Sequence, residues 1–207
     1  MHKGILLLSG GIDSAVAGHL ALKEGHDLCA LHFSTEKITG KQPTEKSRKL
    51  ASMLGIKDFF LCEASGAFAE ISRTCFYNYY FVLTKRLMLC KAAELAEQEK
   101  ADFLLTGENL GQVSSQTLSN LSSIDRAVQL PVIRPLLSFD KTEIIKIARE
   151  IGTLETSTGK EMCDALGPNH PATKTDYARL LEEEKKLSPD FVPSLKINHE
   201  KIQPHQP

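Results

Sequence analysis

Five short, mostly apolar runs recur along the chain, and segments of helical character separate them. The runs are residues 4–8 (GILLL), Asp27–Phe33, Lys57–Cys62, Phe103–Leu105 and Leu130–Ile133. Continuous apolar runs, as opposed to an apolar–polar alternation, specify strands buried on both faces. Between them, Ser14–Lys23, Thr44–Leu54 and Lys141–Ile151 read as helices, each closed by a glycine just beyond the last turn (Gly25, Gly55, Gly152). A longer helix runs from about Tyr80 to Lys100, and another begins near Gln112. Strands alternating with helices predict an α/β fold with a doubly wound, mostly parallel five-stranded sheet. The 207 residues suit one such domain over residues 1–175. Residues 176–207 then hold the rest of a charged helix (Thr173–Lys186) and an extended or disordered tail, marked by Pro189, Pro193, Pro204 and Pro207.

Composition narrows the function classes. With 42% hydrophobic and 25% charged residues the chain can bury an ordinary core. A net charge of −1 gives no global field to attract nucleic acid, so any RNA contact needs a local basic patch or a partner protein. No signal peptide and no run of apolar residues long enough to span a bilayer is present, so a cytoplasmic protein without membrane contact is expected. The five cysteines are odd in number and contain no C-x-x-C pair, which argues against zinc, a four-cysteine cluster or a disulfide framework.

The strongest chemical signal is Ser9-Gly10-Gly11-Ile12-Asp13-Ser14, set between the first strand and the first helix. Ligands of open α/β sheets bind at the carboxyl ends of strands, where this loop lies. Glycines permit positive φ and let backbone N–H groups approach an anion. Ser9 and Ser14 add hydroxyl donors, and the following helix directs its positive end at the same point. A bare strand–turn–helix connection would also use Gly-Gly, but not the whole string. Asp13 suits a carboxylate that holds Mg²⁺ beside phosphates, or else a helix cap. Neither the Walker pattern nor G-x-G-x-x-G is present.

A second polar stretch, Thr106–Asp125 (TGENLGQVSSQTLSNLSSID), follows the fourth strand and reads as the far wall of a nucleotide pocket. The hexapeptide resembles the PP-loop of the ATP-pyrophosphatase superfamily. Together with Leu31–Phe33, Thr84–Met88, Thr106–Leu118, Ile133–Thr153, Cys163 and Pro171–Lys174, it resembles the catalytic domain of the 4-thiouridine synthetases. Those tRNA sulfurtransferases also supply sulfur for thiamine biosynthesis. The similarity covers roughly residues 4–175.

That resemblance implies an adenine-nucleotide hydrolase-like fold and an enzyme that uses ATP and Mg²⁺ to adenylate a tRNA uridine. It implies that Leu7 and Leu8 line the nucleotide site, that Ser9, Gly10, Gly11, Asp13 and Ser14 hold the phosphates, and that His32 and Phe33 lie by the adenine. Lys85 would supply a cation, and Gly107 and Gln116 would complete the pocket. From residue type alone, Phe33 serves equally as a core aromatic and Lys85 as a solvated helix residue. Cys163, in a Gly/Pro-rich segment, is the implied nucleophile in sulfur transfer; a thiolate or persulfide forms exchangeable S–S bonds. Neither a THUMP nor a rhodanese region is recognisable. The expected partners are therefore tRNA, with a separate THUMP-type protein to hold it, a cysteine desulfurase or sulfide as donor, and a second copy in a homodimer. The competing readings keep the same pocket. One is a PP-loop enzyme with another acceptor, and the other a nucleotide-binding subunit of a tRNA-binding protein.

Overall fold

A computed structural model describes residues 1–110, 115–158 and 166–205. In chain order the elements are β1 (Lys3–Leu7), α1 (Ile12–Lys23), β2 (Asp27–Ser34), α2 (Glu36–Thr39), α3 (Gln42–Met53), β3 (Asp58–Glu63) and α4 (Ser65–Thr74). A 3-10 turn (Tyr77–Tyr79) leads into α5 (Tyr80–Glu99), followed by β4 (Phe103–Leu105), α6 (Leu118–Asp125) and β5 (Val132–Ile133). The chain continues with α7 (Lys141–Glu150), α8 (Leu154–Ser157), α9 (Tyr177–Glu184) and β6 (Ile197–Lys201).

The sheet order is β5-β4-β1-β2-β3-β6. The first five strands are mutually parallel, with β1 paired to β2 from Lys3↔Asp27 to Leu7↔Leu31 and to β4 from Gly4↔Phe103 to Leu6↔Leu105. Side chains alternate between two faces, as a pleated strand requires. Ile5, Leu7, Leu31 and Phe33 face α4 and α5, while Leu6, Leu8, Ala30 and Phe59 face α1 and α3. Both faces are therefore covered, which is why the runs read as continuously apolar. After β3 the chain returns to the other side of β1, so the order reverses between β1 and β4. That crevice is the topological switch point, where open α/β sheets bind ligands.

Two expectations need correction. The sheet has six strands, not five, and the sixth comes from the segment expected to be an extended or disordered tail. β6 runs antiparallel to β3, from Asp58↔Lys201 to Cys62↔Ile197. Its sequence, INHEK, carries almost no apolar signal because an edge strand is held by its backbone ladder and by charge. Arg48 forms a two-point ion pair with Glu200 at 2.8 and 2.9 Å, and Asp58 takes His199 and Lys201 at 2.7 and 2.5 Å. Helix α4 was also not expected. It opens with Ser65-Gly66, which mimics a turn, yet Ala67, Phe68 and Ile71 bury one face against the sheet. The helix anticipated near Gln112 begins in the described residues at Leu118, where the Thr117 hydroxyl caps it by accepting from the Asn120 N–H at 3.2 Å. Gln112 itself lies outside the described residues.

Candidate active site

The end of β1 is fixed before the loop begins. The Leu8 N–H donates to the Leu31 carbonyl at 2.9 Å, and the Leu8 carbonyl receives Nδ1 of His32 at 2.8 Å. His32 is buried, and burial pushes its pKa down to about 4, so the ring is neutral and Nδ1 carries the donated proton. The same nitrogen lies 2.9 Å from the hydroxyl of Ser47, midway along α3. Ser47 and Pro43 in turn form the floor under Gly10. A Cβ on Gly10 would stand 3.1 Å from the Pro43 carbonyl and from Ser47 Oγ, and φ there is +87°, so glycine alone fits without strain.

Beyond Gly10 the loop is braced from within. The Ser9 N–H donates to Ser14 Oγ at 3.2 Å, the Gly11 N–H donates to Ser9 Oγ at 3.2 Å, and the Ser14 hydroxyl donates to the Gly11 carbonyl. Gly11 is the N-cap of α1 and makes no side-chain cap. The first-turn amides of α1 thus present their N–H groups and the positive helix end to the cleft.

The facing wall is built with no slack. A Cβ on Gly107, two residues past β4, would fall 2.5 Å from the Asp13 carbonyl carbon and 2.6 Å from the Ser14 nitrogen. Only a glycine lets the two strand exits meet backbone to backbone. Gln116 closes this wall by accepting the Asn109 N–H through Oε1 at 3.0 Å.

Between the walls lies a cleft of about 230 Å³. Its apolar lining includes Leu7, Leu31, Phe33, Phe68, Val82 and Ile124, side chains suited to a flat aromatic base. Its polar lining includes Ser9, Gly11, Asp13, Ser14, Lys85, Gly107, Glu108 and Gln116. The structure therefore gathers at one cleft Leu7, Leu8, Ser9, Gly11, Asp13, Ser14, His32, Phe33, Lys85, Gly107 and Gln116, with Gly10 shaping the loop beneath it. Cys163 lies outside the described residues, as do Gly111 and Ser114.

Sequence reasoning missed several charged groups. Lys141, the first residue of α7, stands 3.1 Å from Asp13, brought there because Val16 and Ala17 of α1 pack against Ile144 and Ala148 of α7. Lys85 lies 3.6 Å from Glu108, a carboxylate only 4% exposed. Glu108 also accepts from Arg134 at 2.9 Å and from the Thr106 hydroxyl at 3.1 Å. Burial works to raise the Glu108 pKa, but Lys85 and Arg134 outweigh it and hold the carboxyl below its ordinary value. The only sequence signals were the motif letters themselves, since nothing in Ile133–Thr153 says that Lys141 reaches a loop 128 residues earlier or that Arg134 reaches a carboxylate 26 residues earlier.

The described cysteines are poor nucleophiles. Cys29, Cys62 and Cys75 are buried, and burial pushes their thiols up to about 11, 12 and 11; Cys90 is raised for the same reason. Among the described residues, no group of three or more His, Cys, Asp or Glu side chains could hold a metal, and no helix is long and apolar enough to cross a membrane.

Comparison with known proteins agrees with this geometry. The chain is 41% identical over 192 residues to a probable tRNA sulfurtransferase of Moorella thermoacetica, covering 90% of this chain and 49% of that protein. A probable tRNA sulfurtransferase of Finegoldia magna is 39% identical, with 89% and 49% covered. The chain thus spans about half the length of the curated relatives it matches. Among solved structures, a 4-thiouridine synthetase–RNA complex with bound ATP superposes with a TM-score of 0.87 at 36% identity, covering 96% of this chain and 55% of that one. The NMN synthetase of Francisella tularensis shares the fold alone, with a TM-score of 0.61 at 18% identity over 89% of this chain and 83% of that one. The model of the thiamine biosynthesis protein (ThiI) family matches residues 1–188, and this chain is a member of that family.

Proposed function

We propose that this chain binds ATP in the cleft and adenylates a tRNA uridine, which then receives sulfur through Cys163. The observation that carries the reading is the backbone contact of Gly107 with Asp13–Ser14, which brings the exits of β1 and β4 together beside the glycine loop. The ATP-bound 4-thiouridine synthetase that superposes on 96% of the chain supports it.

In this reading the adenine lies against the apolar lining, near Phe33 and the backbone of His32. The phosphates meet the N–H groups of the Ser9–Ser14 loop. Uridine O4 attacks the α-phosphorus, the α–β bridging bond breaks, and pyrophosphate leaves with its charge met by Lys85 and Lys141. Asp13 is the residue that would hold Mg²⁺ there, since this ion needs only one or two protein carboxylates. When bound, Mg²⁺ would neutralise phosphate charge. A persulfide sulfur on Cys163 then attacks C4, AMP departs, and a second thiol releases the product by cleaving the S–S bond.

The described residues that flank Cys163 are anchored near the phosphate loop and on α4. Lys46, whose Cβ approaches Gly10, donates to the Thr158 carbonyl at 2.7 Å, while Leu166 accepts from Ser72 of α4 at 3.3 Å. The remaining partners belong to the same proposal. They are a separate THUMP-type protein to hold tRNA, a cysteine desulfurase or sulfide as donor, a second copy of the chain, and a cytoplasmic location.

The test is pyrophosphate release from ATP with and without unmodified tRNA, run on the wild type and on Cys163→Ala. The variant should keep tRNA-dependent pyrophosphate release and lose 4-thiouridine. No tRNA stimulation in either protein would refute the acceptor. Undiminished thiolation by Cys163→Ala would refute the role of the thiol.

A further inference from the structure

Glu108 is out of place by simple electrostatics. A carboxylate that is buried, unlike the partly exposed Asp13, lines the cleft that also holds Lys85 and the loop N–H donors, and there it disfavours an anionic ligand. Its own surroundings account for its survival as an anion. Oε2 takes Arg134 Nε at 2.9 Å and the Thr106 hydroxyl at 3.1 Å. The rest of the Arg134 guanidinium is committed elsewhere, gripping Asp125 at 2.6 and 3.0 Å. That leaves Oε1, which faces the Lys85 ammonium at 3.6 Å.

The four groups divide the labour. Arg134 serves two carboxylates and stays 7% exposed, whereas Lys85 is 37% exposed and opens on the cleft. At 3.6 Å the Lys85–Glu108 contact is an ion pair too long for a tight hydrogen bond, so the ammonium is held while its donors stay available. Glu108 is also coupled to the loop it faces. It follows Gly107, whose backbone abuts Asp13 and Ser14, so its position relative to the phosphate loop is fixed across one peptide link. A lysine on a four-carbon stem is otherwise free among many rotamers, and holding it near the leaving group in advance favours the transition state over the ground state.

We propose that Glu108 is a positioning residue for ATP cleavage, holding the Lys85 ammonium where the departing pyrophosphate develops its charge. This rests on the ATP reading above. It predicts a divided effect. Glu108→Gln keeps the size of the side chain and removes one negative charge from the phosphate end. The KM for ATP should stay level or fall, while kcat of pyrophosphate release falls at least ten-fold. Loss of fold or of the binding surface would instead raise KM along with the fall in kcat.

The experiment is a double-mutant cycle on tRNA-dependent pyrophosphate release, with ATP binding measured by calorimetry. Lys85→Met should lower kcat, and Glu108→Gln should have no further effect in that background. Asp125→Asn, which touches Arg134 but not Lys85, should leave kcat within two-fold. Should Glu108→Gln fail to fold, Glu108→Asp keeps the charge but withdraws it from Lys85, and should lower kcat several-fold with ATP affinity unchanged. An unchanged kcat in both Glu108 variants overturns the inference. So does an equal loss in the Lys85→Met background, or a loss in Asp125→Asn as large as that in Glu108→Gln. A wild type that fails to bind ATP overturns the ATP reading and this inference with it. With a wild type that binds and turns over, any of the failures above counts against the role of Glu108 alone.

Discussion

Replacing Gly107 by alanine adds one methyl group where two backbones touch. The new Cβ would sit 2.5 Å from the Asp13 carbonyl carbon, 2.6 Å from the Ser14 nitrogen and 2.7 Å from the Asp13 oxygen. Ordinary van der Waals contact begins at 3.4 Å, so the walls must part by about 0.9 Å. No flexible side chain can absorb this, because all three atoms belong to the first turn of α1. Glycine is not needed there for its φ, so the effect is steric alone. A misplacement of about 1 Å costs on the order of 100-fold in rate, or about 2.7 kcal/mol of transition-state stabilisation. Overpacking costs about 1–3 kcal/mol of stability in addition. We expect kcat/KM for pyrophosphate release to fall about 100-fold, ATP binding to weaken, and the thermal midpoint to drop by a few degrees. Wild-type ATP affinity and turnover in Gly107→Ala would show that the two strand exits do not share one phosphate site. A lowered midpoint with unchanged kinetics would confine Gly107 to packing.

Three further outcomes are expected. Asp13→Ala should abolish pyrophosphate release while shifting the thermal midpoint little, because this side chain is 31% exposed and touches only Lys141 among the ion pairs of the described residues; residual turnover above a few per cent would remove Asp13 from the chemistry. Stability should fall as the pH is lowered from 6.5 to about 4, because His32 is held at about 4 when folded and titrates near 6.5 when unfolded. The unfolded chain then binds the extra proton, which weakens the native state by up to about 3 kcal/mol at the acid end, and His32→Gln should flatten that slope in urea titrations at stepped pH. Finally, tRNA should bind this chain weakly and with marked salt dependence, through Lys and Arg on the cleft rim; tight binding that persists at high salt in a filter assay would contradict a phosphate-dominated contact.

What the sequence reveals about this chain divides along a physical line. Signals that act within one element were legible. The buried runs gave β1 to β4 in place, and the Gly10-Gly11 turn announced a loop whose +87° φ the structure confirms. Signals that depend on a neighbour distant in sequence were not. β6 became visible only once Asp58 and Arg48 were seen to receive Lys201 and Glu200, because an edge strand needs no apolar face. The site follows the same division. Its glycines and hydroxyls were readable because each does its work locally, in a backbone turn or a helix end. Lys141, Arg134 and Glu108 matter through partners up to 128 residues away, and no periodicity encodes such a meeting. The family motif carried those letters without their reasons. The reasons are that α7 leans on α1, which delivers Lys141 to Asp13, and that β5 pairs with β4, which sets Arg134 beside Glu108. The electrostatics of the cleft is thus a product of helix packing and strand register. A change that shifts either, even far from the cleft, should alter its charge balance before it alters its shape.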